Sequence, residues 1–182
     1  MKKFFLMLAL LFPTFAYCQE AKFMGLNLGT DVDVFCKVLK EKGMKQTIDR
    51  FERKEFEGTF ATYPGCRIIV MATEVSKKVK SVEVVFESVR NKKYDRDKAF
   101  SSILEQYRSK YGDKLVKTSS ARDADMLGIT NYEVKCGDVT IYLHKTGPSF
   151  LSPDDCSMSI SYVSSSLVKL KEANPNKHSS DI

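Results

Sequence analysis

The sequence predicts an α+β protein with two helices packed on one face of an antiparallel meander sheet. Two windows, 31–42 and 95–111, repeat apolar residues at helical spacing, and each closes on a glycine. Short stretches between and after them alternate apolar with polar residues and are separated by turn signals, the mark of half-buried strands. The order is helix, three strands, helix, three strands, which suggests a helix-plus-three-strand pseudo-repeat.

Phe23 to Leu28 alternates like a short strand, and Gly29-Thr30-Asp31 then supplies a turn and an N-cap. In the helix that follows, Val32, Val34, Phe35, Val38 and Leu39 share a face, Cys36 sits at its edge, and Gly43 is the stop. Phe56, Gly58 and Phe60 alternate with Glu57, Thr59 and Ala61, and Tyr63-Pro64-Gly65 reads as a tight turn. Cys66 to Ala72 is a buried run, Val75 to Lys78 a second turn, and Val82, Val84 and Phe86 alternate in a strand that reaches Val89. The strongest helical signal places Phe100, Ile103, Leu104, Tyr107 and Tyr111 on one stripe before Gly112. Lys114 to Thr130 is a polar excursion. Strands resume at 132–135, turn at Cys136-Gly137-Asp138, run through 139–144, and end with Met158, Ile160 and Tyr162 after a loop containing Pro148 and Pro153. A short helix over 167–172 closes the domain. Phe35, Leu39, Phe100, Ile103, Leu104 and Tyr107 are the expected core.

The first eighteen residues read differently. Lys2 and Lys3 precede an apolar run from Phe4 to Phe12, and Pro13 to Cys18 brings small residues back. This is the pattern of a secretory signal peptide, with an apolar stretch about half the ~20 residues that a membrane span needs. Ala16 and Cys18 stand at the small-residue positions, so cleavage is expected before Gln19, leaving a periplasmic or secreted product without a transmembrane segment. The alternative is a lipoprotein acylated at Cys18, but Tyr17 replaces the small residue expected before a lipidated cysteine. Residues 19–172 then form one domain and 173–182 a polar, frayed tail.

Removing the leader takes away two lysines and no acids, so the net charge falls from +6 to +4. The basic residues are scattered, and export argues against nucleic acid as a partner. Cys36, Cys66, Cys136 and Cys156 remain, an even number in an oxidising compartment. Treating the first helix as antiparallel to the first strand brings Cys36 and Cys66 to one end of the sheet, and they are the expected disulfide. Cys136 and Cys156 lie at opposite ends of the 139–144 strand, so a second bond is left open.

Candidate chemistry fails on supply. His144 and His178 are the only histidines, and His144 is out of phase with Ile141 and Leu143, which turns it toward solvent or the second side of the sheet. Asp123/Asp125 and Asp154/Asp155 lack the ordered ligand series of a calcium loop, and no glycine-rich phosphate loop occurs. No cofactor, metal or catalytic residue is therefore expected. Phe56, Phe60 and Tyr162 are read as core. Tyr63 and Phe150, placed in loops, are the candidate binding aromatics.

Phe23-Met24-Gly25-Leu26, Lys42-Gly43, Phe56-Glu57-Gly58-Thr59-Phe60-Ala61 and Lys110-Tyr111-Gly112 carry a resemblance to small exported α+β proteins of Gram-negative gut anaerobes, a group that is itself uncharacterised. By architecture alone the chain is also similar to the β-lactamase-inhibitor protein fold and to a small outer-membrane-assembly lipoprotein. Those likenesses imply a role in binding other proteins and carry over no site residue. The reading is therefore a non-enzymatic envelope protein that binds a macromolecular or peptide partner, an unknown protein or envelope component, through one face of its sheet. The alternatives are a small secreted enzyme, hydrolase-like, with a site assembled from scattered residues, and a structural or inhibitory module associated with the outer membrane.

Overall fold

The computed structural model describes residues 21–147 and 156–170. The leader, the loop aromatic Phe150, Asp154/Asp155 and the 173–182 tail lie outside the described residues. The elements are α1 (Val32–Glu41), β1 (Lys45–Asp49), β2 (Arg53–Phe60), β3 (Tyr63–Ala72), β4 (Val79–Phe86), α2 (Lys93–Tyr111), β5 (Val116–Lys117), α3 (Ala121–Leu127), β6 (Thr130–Cys136), β7 (Val139–Lys145), β8 (Met158–Ser164) and α4 (Ser165–Lys169). Among the described residues the strands form one eight-stranded sheet in the order β1-β2-β3-β4-β8-β7-β6-β5, every pair antiparallel. The predicted α+β class with an antiparallel sheet is what the chain adopts.

Register explains the core. Phe56, Ile68, Val84, Ile160, Leu143 and Tyr132 stand directly opposite one another from β2 across to β6. A second row runs Val70, Val82, Tyr162, Ile141, Val134. Residues opposite one another share a face, so both rows line one side of the sheet. All but Tyr132, which packs against it, belong to a single buried cluster with Phe35 and Leu39 of α1 and Phe100, Ile103 and Leu104 of α2. Phe23 stacks on Phe60 at 5.6 Å and meets the edge of Tyr162 at 5.4 Å. The Tyr107 and Tyr162 hydroxyls, 2.5 Å apart, tie α2 to β8.

Several details depart from the sequence reading. The stripe of α1 is Val32, Phe35, Cys36 and Leu39, whereas Val34 is 53% exposed, because the positions three and four apart share a face. Phe23 and Leu26 bridge each other around a Met24-Gly25 turn instead of extending as a strand. The turn before β3 falls at Ala61-Thr62, both at positive φ, and Pro64-Gly65 forms a bulge inside the strand. Proline suits that place because it has no N–H to offer the ladder, and Gly65 takes φ +65 without strain. The strand expected to reach Val89 ends at Phe86, followed by a 3₁₀ turn over Glu87–Val89. The polar excursion holds β5 and α3, the latter capped by a reciprocal Ser120–Asp123 box. Four strands therefore follow α1, and four follow α2 with α3 inserted after the first of them; the added strands β1 and β5 lie at the sheet's outer edges.

The added strand β1 also overturns the Cys36–Cys66 disulfide. Inserting it reverses the direction of every later strand relative to α1, so the N-terminal end of α1 bridges Lys78 at the far end of β3 and β4. Cys36 lies beside Lys54 and Asp49, while Cys66 lies opposite Gly58 and Phe86. Lys54 to Gly58 is about 13 Å of strand at ~3.3 Å per residue, against a Cα limit of about 7 Å for a disulfide. Both are free, buried thiols, and Cys66 Sγ donates to the Tyr63 carbonyl at 3.2 Å. Burial pushes both thiols up to about 11.

Candidate interaction surface

The alternate residues of the same strands make the second face. One row runs Glu55, Ile69, Glu83, Ser161, Tyr142, Glu133. The rows beside it run Glu57, Arg67, Val85, Ser159, His144, Asn131 and Arg53, Met71, Ser81, Val163, Thr140, Lys135. None of these side chains belongs to the buried cluster. Most are half-buried by their neighbours within the sheet, and Tyr142 is 41% exposed.

The face divides into three parts. On the β2–β3 flank, Glu55 is buried and takes Arg53 Nε at 2.6 Å and Arg67 Nη1 at 3.7 Å. Arg67 also reaches Glu87 at 2.9 Å, and Glu87 meets Arg90 at 3.5 Å. This chain of charges is satisfied internally. On the β6–β7 flank, His144 Nδ1 lies 2.5 Å from Asn131 Oδ1, and Lys135 meets Glu133 at 3.5 Å. Burial lowers the pKa of His144, opposed by the negative field of Glu83.

The centre differs from both flanks. Glu83 forms no ion pair among the described residues. Ile69 and Ser161 stand on either side of it in its own row, and Met71, Val85 and Val163 occupy the adjoining rows. A carboxylate here is set into partly apolar surroundings with hydroxyls from Ser81, Ser159 and Ser161 close by in the register.

Two concave sites elsewhere have structural explanations. A cleft of about 490 Å³ lies between residues 27–29, the β6–β7 turn and the start of α4. Its carboxylate, Asp138, accepts from Ser166 N and Ser166 Oγ, each at 2.8 Å, and from Ser164 Oγ, which together hold its pKa below the usual carboxylate value. That arrangement locks a turn to a helix start. A hollow of about 250 Å³ beside Cys36 contains a Lys54–Asp49 ion pair. Among the described residues no group of three metal-ligating side chains converges, and every buried side-chain polar atom has a partner.

The candidate aromatics fare unequally. Tyr63 is the first residue of β3, half-buried, with its ring edge-on to Phe86 at 5.8 Å, so it belongs with the core rather than an exposed loop. Phe56 and Tyr162 are buried and Phe60 packs against the core, as expected. Asp123 is the third residue of α3, and its carboxylate accepts from the backbone N–H of the N-cap Ser120. Glu83 was missed, although its phase in the alternating strand marks it as facing away from the core. No protein-family model, curated protein or solved structure matches the chain.

Proposed function

We propose that this is an exported, non-enzymatic envelope protein that binds a macromolecular or peptide partner through the open face of its sheet. One observation carries the reading: a face reaching from β2 to β6 keeps its side chains out of the core and mixes aliphatic, aromatic and polar groups. Broad, shallow surfaces of that composition suit protein partners better than small molecules, which favour deep concave sites. In this reading both helices lie behind the sheet, and α1 with β1–β4 and α2 with β5–β8 form two pseudo-repeat units meeting at β4 and β8. Export rests on the leader pattern, with cleavage before Gln19 giving a periplasmic or secreted product.

A photo-crosslinking residue at Ser161, on the open face, is the test in the native envelope. It should yield a discrete adduct that the same residue at Ser102 of α2 does not give. Equal adducts at both positions, or none at Ser161, would count against the reading. Intact mass of the exported protein tests the leader, and a diacylglyceryl increment on Cys18 would replace soluble export with membrane anchoring.

A hydrolase reading has one arrangement in its favour. Ser159 stands directly opposite His144, whose Nδ1 is held by Asn131. Labelling of Ser159 by a fluorophosphonate would favour this reading over binding alone.

A further inference from the structure

We propose that the partner presents a single arginine or lysine, flanked by apolar residues, to Glu83 at the centre of the open face; this rests on the binding reading above. The three parts of the face differ in how their acids are satisfied. Glu55 has Arg53 and Arg67, Glu87 has Arg67 and Arg90, and Glu133 has Lys135. Glu57, also outside these pairs, is exposed at the rim and solvated. Glu83 alone combines a central position, half-burial and the lack of a cation among the described residues.

Its surroundings specify the rest of the ligand. Ile69 is 8% exposed, and Met71, Val85 and Val163 are half-buried, so the carboxylate is rimmed by aliphatic side chains. A partner covering this patch removes water from around Glu83. The carboxylate's lost hydration goes uncompensated unless the partner supplies a cation with hydrogen-bonding protons. A basic side chain meets that need, and neighbouring apolar residues of the partner bury Val85, Val163 and Tyr142. Ser159 and Ser161 add hydroxyls that can accept the remaining guanidinium protons. An acidic side chain in this place would bring two carboxylates together in a desolvated patch, which excludes acidic segments.

The net charge of the exported chain restricts the partner further. At +4 once the two leader lysines are removed, the protein repels a polycation at long range, so the cation should be one residue within a segment of low net charge.

Selection from a phage-displayed library of random peptides tests this. The exported protein is the target, and clones that also bind a Ser161→Arg variant, whose face centre is blocked, are discarded. The expected peptides share an arginine or lysine beside apolar residues, bind about tenfold or more weakly to Glu83→Gln, and recover part of the loss on Glu83→Asp. Circular dichroism and melting of each variant confirm an unchanged fold. Face-dependent peptides that lack a basic residue, or that bind Glu83→Gln unchanged, would overturn the inference and leave the binding face standing. A library that yields no face-dependent peptide would remove both.

Discussion

Ile68 and Ile69 are consecutive on β3 and both are buried, yet they belong to different surfaces. Ile68 lies in a row of Phe56, Val84, Ile160 and Leu143, in one cluster with Phe35 and Ile103. Ile69 lies in a row of Glu55, Glu83, Ser161 and Tyr142 and is shielded by its neighbours on the sheet. The first row is satisfied wholly within the chain. The second is satisfied at its flanks, whereas Glu83 at its centre forms no ion pair among the described residues. Requirements of folding therefore account for the first face nearly residue by residue, and they leave the composition of the second largely free.

The largest expected effect breaks the first face. Phe56→Ala removes a ring that is fully buried and should cost about 3–5 kcal/mol in denaturant unfolding. Val85→Ala on the opposite face should stay within about 0.5 kcal/mol of wild type. Equal losses from the two would mean that the open face is packed from both sides, and the contrast would fail.

Backbone approach supplies the next effect. Gly128 ends α3 at φ +64, and a Cβ there would lie 2.8 Å from the Gly147 carbonyl oxygen, beside the buried Arg96 that donates to Thr146 O at 2.6 Å. Gly128→Ala combines left-handed strain with that clash and should cost about 1–3 kcal/mol, read as a lowered midpoint. A wild-type midpoint would mean that α3 shifts freely and holds nothing in place.

Tyrosine titration sharpens the comparison further. Burial raises the pKa of Tyr107 and Tyr162, Tyr162 to about 12, whereas the open-face Tyr142 is 41% exposed. Absorbance at alkaline pH should resolve a late class that Tyr107→Phe and Tyr162→Phe each alter. Loss of either hydroxyl leaves its partner unpaired at a cost of about 1–3 kcal/mol.

The fold was legible where burial writes a period. The α1 and α2 stripes and the core strands β2, β3, β4, β7 and β8 alternate because one side meets apolar neighbours. β1, with the sequence KQTID, and the two-residue β5 sit at the edges of the sheet. No apolar period marks them. Missing β1 had a geometric consequence out of proportion to its length, since it reversed strand direction and separated Cys36 from Cys66. Glu83 was legible in phase, as an outward residue between Val82 and Val84. Its lack of an ion pair among the described residues was not legible, because that depends on which strands lie beside β4, and the β4–β8 pairing joins residues about eighty apart.

The smallest effect joins the β6–β7 flank of the open face to its centre. His144 has its pKa lowered by burial, while Glu83 acts to raise it. The fold therefore favours the neutral imidazole. Above the ordinary value of 6.5 both folded and unfolded chains hold it neutral, and it adds no pH dependence. As pH falls below 6.5 the unfolded chain takes up the proton first, so stability declines until the lowered folded value is passed. His144→Gln should remove that part of the decline. Glu83→Gln removes the opposing negative field, so the His144 ring resonances should titrate at lower pH than in wild type. An unmoved titration would mean that water screens the two groups from each other. In that event the carboxylate at the centre of the face is already well solvated, and its demand for a cation from a partner would be correspondingly weak.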